Sequence, residues 1–214
     1  MNNVAFVNAS PRNKNSTSSY LTKELINICN NNIHSKEFFI SNIKDYESLF
    51  KKLVLFDKLV FVTPLYVDSL PSELIEFMLR FENYIMDKNI NNIHIYAIVN
   101  CGFLEGHQNH IALDIIKNFT HKCNLQWCYG IGIGGGEFLR NSKSMPLRVL
   151  VKKPIYEDLV ILSDSLIGNN KHFENLFVNP KLFRTLFIPM ANQFWLSEAK
   201  KNKLSKKDLL KIYE

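Results

Sequence analysis

The chain has 214 residues, 46% of them hydrophobic and 21% charged, with a formal net charge of +6. A chain of this length buries roughly 70% of its unfolded surface, so a core can form without disulfide or metal staples. Its four cysteines (Cys29, Cys101, Cys123, Cys128) include no CxxC pair, which argues against zinc ribbons, thioredoxin-type redox pairs and iron–sulfur clusters. Scattered free thiols fit a reducing, cytoplasmic compartment. No apolar run reaches the ~18 residues that span a bilayer, and the start Met-Asn-Asn-Val-Ala-Phe-Val lacks the basic and apolar regions of a signal peptide. Integral membrane association is therefore not expected. The basic residues are spread along the chain, apart from a C-terminal group of Lys200, Lys201, Lys203, Lys206, Lys207 and Lys211. No nucleic-acid-reading motif accompanies them, so nucleic acid is not an expected partner.

The elements follow in chain order. Val4–Asn8 reads as a buried strand, and Ser18–Asn30 as a helix with Tyr20, Leu21, Leu25, Ile28 and Cys29 on one face. Glu37–Ile40 reads as a short second strand, and Tyr46–Leu55 as a helix. Lys58–Thr63 is a third strand, closed by Pro64. Pro71 opens a helix with Leu74, Ile75, Phe77, Met78 and Phe81 inward. Ile93–Asn100, His107–Cys123 and Leu125–Ile133 read as strand, helix and strand. Beyond Ser142 the alternation stops. Helices are expected at Ile155–Leu166 and over Pro180–Lys203, the second interrupted near Pro189.

Strand–helix alternation predicts a parallel sheet covered on both faces. The expected fold is a doubly wound α/β domain, five strands in the order 2-1-3-4-5, over residues 1–142. Residues 143–214 form a helical extension, packed on the domain or at a dimer interface. In such sheets ligands bind beyond the carboxyl ends of the strands, and four loops meet there.

The loop after the first strand, Asn8-Ala-Ser-Pro-Arg-Asn-Lys-Asn-Ser-Thr-Ser-Ser19, is rich in hydroxyls, carries Arg12 and runs into a helix N-terminus. That combination suits a phosphate, although Ser and Thr also serve as plain N-caps. It is neither a Walker loop nor a GxGxxG fingerprint. Thr63-Pro-Leu-Tyr-Val-Asp-Ser-Leu-Pro71 holds Tyr66 between two prolines, placed to lie against a planar ring or to pack on its own helix. Asn100-Cys-Gly-Phe-Leu-Glu-Gly106 offers N–H donors around Gly102. Gly130–Gly136 holds five of the eight glycines, which implies either close approach of another group to that backbone or a mobile connection. Jointly the strand ends describe a site for a phosphorylated planar heterocycle.

Asn8-Ala-Ser-Pro-Arg-Asn-Lys-Asn-Ser-Thr resembles the GSPRxxGNT-like phosphate loop of the flavodoxin-like NAD(P)H-dependent FMN reductases. Thr63-Pro-Leu-Tyr-Val-Asp-Ser-Leu-Pro-Ser resembles their SPxYxxxxPxxLK segment, and Asn100-Cys-Gly-Phe-Leu-Glu their fourth-strand loop. The resemblance covers roughly residues 1 to 140 and departs at Asn8, Ala9 and Lys14, where glycines are common, and at Glu76, where Lys is usual. It implies FMN as cofactor, NADH or NADPH as donor, and a small acceptor: quinone, flavin, nitro or azo compound. Ser10, Arg12, Ser16, Thr17 and Ser18 would hold the phosphate. Pro64, Leu65, Tyr66 and Val67 would line the isoalloxazine, with Asn100, Gly102 and Phe103 on its pyrimidine side; Asn15, Cys101 and Glu105 complete the cofactor set. The flavin does the chemistry in such enzymes, so no catalytic side chain is assigned. A homodimer is implied by analogy.

Three alternatives stand beside this reading. An electron carrier without NAD(P)H turnover would bind FMN equally, but carriers present acidic faces and this chain is basic. A protein that kept the fold and lost the flavin is the other. The third, a metal site of Glu105, His107, His110 and Asp114, is explained more cheaply as a surface helix, so no metal is expected. Cys101 reads as a buried inert thiol or, less readily, a redox-sensitive one.

Overall fold

The computed structural model describes residues 2–168 and 174–211; Met1, 169–173 and 212–214, within the two expected segments, lie outside the described residues. The chain divides into two compact units between Pro180 and Lys181.

The first unit is a parallel sheet with helices on both faces. Its elements are β1 (Asn2–Asn8), α1 (Thr17–Cys29), β2 (Ile33–Phe39), α2 (Tyr46–Leu53), β3 (Lys58–Pro64), α3 (Ser72–Asp87), β4 (His94–Asn100), α4 (His110–Lys122), β5 (Gln126–Ile133), α5 (Gly136–Asn141), α6 (Lys153–Ile167) and β6 (Leu176–Val178). The strand order is β2-β1-β3-β4-β5-β6. The expectation of five strands is corrected: β6 pairs in parallel with β5, Ile131 opposite Leu176 and Ile133 opposite Val178. Three residues between asparagines carry too little periodicity to read as a strand, and their pairing spans a connection of two helices. β2 also starts earlier than expected and stops before Ile40, because it pairs along the whole of β1. The segment beyond Ser142 is accordingly not purely helical, and the short α5 precedes it.

The inner strands β1, β3, β4 and β5 are buried on both faces, so they read as nearly continuous apolar runs. Side-chain alternation then sorts the residues. Ala5, Val7, Leu59, Phe61, Ile95, Ala97 and Val99 pack with α2, α3 and α4. Val4, Phe6, Val60, Val62, Tyr96, Ile98 and Ile131 pack with α1, α6 and Leu139 of α5. Phe50 anchors the first layer, its ring centroid 5.0–5.4 Å from those of Phe77, Phe81 and Tyr84, a spacing suited to aromatic pairs.

Two lysines are buried in the second layer. Lys58, 4% exposed, donates from Nζ to the carbonyls of Ser165, Leu166 and Gly168. These are orphan acceptors at the C-terminus of α6, where the helix dipole favours a cation. Lys152 donates to the carbonyls of Ser142 and Met145 and lies over the Tyr20 ring. Burial pulls both ammonium groups below the ordinary lysine pKa.

The second unit holds α7 (Arg184–Lys201) and α8 (Lys206–Leu209), the latter opened by a Ser205–Asp208 capping box. α7 runs through Pro189 without the expected interruption. No helix among the described residues is long and apolar enough to cross a membrane.

The Lys58 cap yields a prediction. Lys58→Met should keep the apolar stem and leave three carbonyls without their donor, costing about 2 kcal/mol. Thermal unfolding should show a fall in midpoint of about 4–8 °C; an unchanged midpoint would show that the cap contributes nothing net.

Candidate functional site

A cavity of about 90 Å³ opens at the carboxyl ends of β1, β3 and β4, lined by Ser10, Arg12, Ser16, Thr17, Ser18, Pro64, Leu65, Tyr66, Asn100, Cys101, Gly102, Gly136 and Glu137. It gathers eleven of the fifteen residues expected from the sequence. Asn15 is exposed in the turn before α1, and Val67 and Phe103 are 99% and 53% exposed at loop tips. Glu105 ends the β4 loop. None of these four lines the cavity. Gly136 and Glu137 do line it and were not expected.

The first wall is the start of α1. Ser16 is the N-cap: its Oγ accepts from Ser19 N–H at 3.0 Å and donates to Asn13 O at 2.6 Å. Helix geometry leaves the N–H groups of Thr17 and Ser18 without an intrahelical acceptor. Asn8, at a position where glycine is common in the loop it resembles, has a structural task. Its Oδ1 accepts from Ser10 N–H at 3.0 Å, and its Nδ2 donates to Glu37 Oε1 at 2.8 Å. Glu37 is thereby tied to the phosphate-type loop, and burial raises its carboxyl pKa.

The second wall comes from β3 and β4. Asn100 Nδ2 donates to Ser18 Oγ at 3.1 Å and to Thr63 O at 2.9 Å, and Leu65 N–H donates to Asn100 O at 2.8 Å. The loop after β3 is a two-residue hairpin. Tyr66 and Ser69 exchange backbone hydrogen bonds, and Val67 and Asp68 have φ of 49° and 57°. A β-branched residue in that left-handed region is strained, and the turn holds Tyr66 at the cavity mouth.

The third wall is the end of β5. A Cβ on Gly134 would stand 1.9 Å from Leu104 O, and one on Gly136 2.9 Å from Cys101 O. Gly136 N–H donates to Cys101 O at 2.7 Å and Gly134 N–H to Val178 O at 2.9 Å. What approaches this glycine run is the chain itself, at the β4 loop and at β6. Thr17 Oγ1 donates to Gly136 O at 3.0 Å, which fixes the first turn of α5 against the start of α1. Glu137 Oε1 then meets Arg12 Nη1 at 3.0 Å, and Glu137 Oε2 meets Arg140 Nη2 at 2.7 Å.

Cys101 is 3% exposed, and its sulfur lies within hydrogen-bond reach of Asn109 Nδ2 and the carbonyls of Phe103 and Glu105. Burial pushes its thiol pKa up to about 11, so near neutral pH it is protonated and inert. His107 and His110 stack on each other with ring centroids 4.9 Å apart. Among the described residues no three His, Cys, Asp or Glu side chains converge as metal ligands.

The donor set suits a phosphate: free helix N–H groups, serine and threonine hydroxyls, and one guanidinium. These groups share one cavity that is open to solvent. No atom lies within 4 Å of where a Cβ on Gly102 would stand. Two glycine variants should therefore behave oppositely in thermal unfolding. Gly134→Ala should lower stability by more than about 3 kcal/mol, as forced backbone displacement does, whereas Gly102→Ala should leave the melting temperature within about 1 °C. Equal effects would refute this division of roles.

No family model matches the chain, and no curated protein matches it. Solved structures do. The Trp repressor binding protein from Bacillus subtilis aligns at 14% identity over 74% of this chain and 99% of its own, with a TM-score of 0.58. An NADPH-quinone reductase from P. pentosaceus aligns at 12% identity over 79% and 99%, TM-score 0.57. An FMN-dependent NADH-azoreductase from Bacillus anthracis, solved in complex with FMN, aligns at 12% identity over 78% and 100%, TM-score 0.54. At this level of identity the likeness is one of fold: the chain has the flavodoxin-like α/β architecture of these structures.

Proposed function

We propose that the chain is an FMN-dependent oxidoreductase that passes hydride from NADH or NADPH through FMN to a small electron acceptor such as a quinone, a flavin, or a nitro or azo compound. One observation carries the reading. The hydroxyl-rich start of α1, the Pro64–Tyr66 turn and the Asn100–Gly102 loop share a single cavity at the sheet's carboxyl edge, where ligands bind in this fold class. Solved structures with the same fold, an FMN-dependent NADH-azoreductase and an NADPH-quinone reductase among them, support it.

Bound FMN would supply the hydride-accepting and hydride-donating chemistry. The residues supply placement. Ser10, Arg12, Ser16, Thr17 and Ser18 would hold the phosphate, where the α1 dipole favours negative charge. Pro64, Leu65 and Tyr66 would bound one face of the ring. Asn100, Cys101 and Gly102 would meet its pyrimidine edge, where a backbone N–H near Gly102 would stabilise negative charge. The side chain of Asn100, tied to both Ser18 and Thr63, sets the spacing between the phosphate wall and the ring wall.

Visible spectroscopy of the purified protein with added FMN, followed by anaerobic NADH or NADPH, tests the reading. Flavin absorbance that follows the protein through gel filtration and bleaches rapidly with a nicotinamide is expected. Bound flavin that neither nicotinamide reduces would leave an electron carrier, and a folded protein that retains no flavin would overturn the assignment altogether. Arg12→Ala should weaken FMN about threefold to tenfold while leaving riboflavin binding unchanged, the loss expected for one partly exposed charge-assisted contact to phosphate.

A further inference from the structure

A carboxylate lies where the proposed function needs positive charge. Glu137 shares the cavity wall with Ser10, Ser16, Thr17 and Ser18, and it is bound to Arg12, the one guanidinium among the described residues that lines that cavity. The placement is built rather than incidental. α5 begins on Gly136, whose N–H is given to Cys101 O and whose carbonyl accepts from Thr17 Oγ1. The first turn of α5 is thus pinned between the β4 loop and the start of α1, and the next side chain is Glu137. On its far side, Arg140 Nε and Nη2 both contact Glu137 Oε2, at 3.0 and 2.7 Å. Arg12 contacts the other oxygen alone.

That asymmetry has a consequence for charge. A phosphate monoester carries about −1.5 to −2 charge at pH 7 and would meet the Glu137 carboxylate across the same small space. Arg12 cannot present the same Nη1 proton to both. If Arg12 turned to the phosphate, Glu137 would remain paired with Arg140, so the exchange leaves no carboxylate unpaired.

Resting on the flavin reading above, we propose that Glu137 is the internal competitor of the phosphate. It holds Arg12 until a phosphorylated ligand takes that guanidinium, and it thereby lowers this site's preference for a phosphorylated flavin over an unphosphorylated one. Glu137 is a specificity-setting residue acting through Arg12, and Arg140 is the partner that makes the exchange cheap. Arg12 and Glu137 are 55% and 39% exposed, so solvent screens the pair and the effect is modest and salt-dependent.

Fluorescence titrations with FMN and with riboflavin, on the full chain carrying Glu137→Gln, Arg12→Ala or both, test the proposal. Glu137→Gln is expected to tighten FMN about threefold to fivefold, to leave riboflavin unchanged, and to lose most of its effect on FMN in the Arg12→Ala background. The gain should shrink as salt rises from 20 to 500 mM, roughly a fivefold contraction of the Debye length. Glu137→Ala, with melting temperature checked in parallel, repeats the test should the glutamine disturb α5. An unchanged ratio of FMN to riboflavin affinity, weaker FMN binding, or an equal effect with and without Arg12 would overturn the proposal while leaving the flavin assignment intact. Folded proteins that bind neither flavin, wild type and variants alike, would overturn both.

Discussion

The site depends on a backbone approach that only glycine permits. At the end of β5 there is no space for a Cβ on Gly134 or Gly136, because the carbonyls of Leu104 and Cys101 occupy it. The hydrogen bonds from Gly136 to Cys101 and from Gly134 to Val178 turn that approach into a seam joining the β4 loop, α5 and β6. The Asn100–Gly102 loop is held on one side by this seam and on the other by the Asn100 contacts to Ser18 and Thr63. Three consecutive strand ends are thereby locked at one spacing. Preorganisation of this kind gives a binding site its geometry before any ligand arrives.

The doubly wound architecture was legible because burial on both faces writes the inner strands as apolar runs. Val4–Val7, Leu59–Val62 and Ile95–Val99 are fully buried, and the helices between them show helical spacing. β6 was not legible. Leu176–Val178 is shorter than any usable period, and its pairing with β5 rests on side chains that resemble loop residues: Asn175 Oδ1 accepts from Gly130 N–H, and Asn179 Oδ1 from Gly106 N–H. Pro189 was misleading for a different reason. A proline forfeits one hydrogen bond and crowds the preceding turn, yet α7 continues through it.

At the site, residues with donor chemistry were readable one by one, and the structure places most of them around one cavity. The wall contributed by α5 was not readable. Its charge sits immediately after a glycine run, and the run invited an explanation in terms of a ligand when the groups that need the space belong to the chain. Asn8 is the opposite case. A departure from the glycine common in similar loops proves to be a bridge from Glu37 to Ser10 N–H. Its side chain fixes the start of the loop by hydrogen bonding to the backbone two residues on.

The sheet ends differently at its two margins. β2 carries Lys36 and Glu37 along its length, whereas β5 is apolar almost throughout, with Trp127, Cys128, Tyr129, Ile131 and Ile133 buried. Left bare, the outer side of β5 would present unpaired N–H and C=O groups beside greasy side chains, a template for strands from other molecules. β6 covers Ile131–Ile133, and the Asn175 amide takes the N–H of Gly130 just before them. A three-residue strand and one asparagine thus act as a guard against intermolecular sheet growth. A chain cut short before residue 175 would leave that margin of β5 bare.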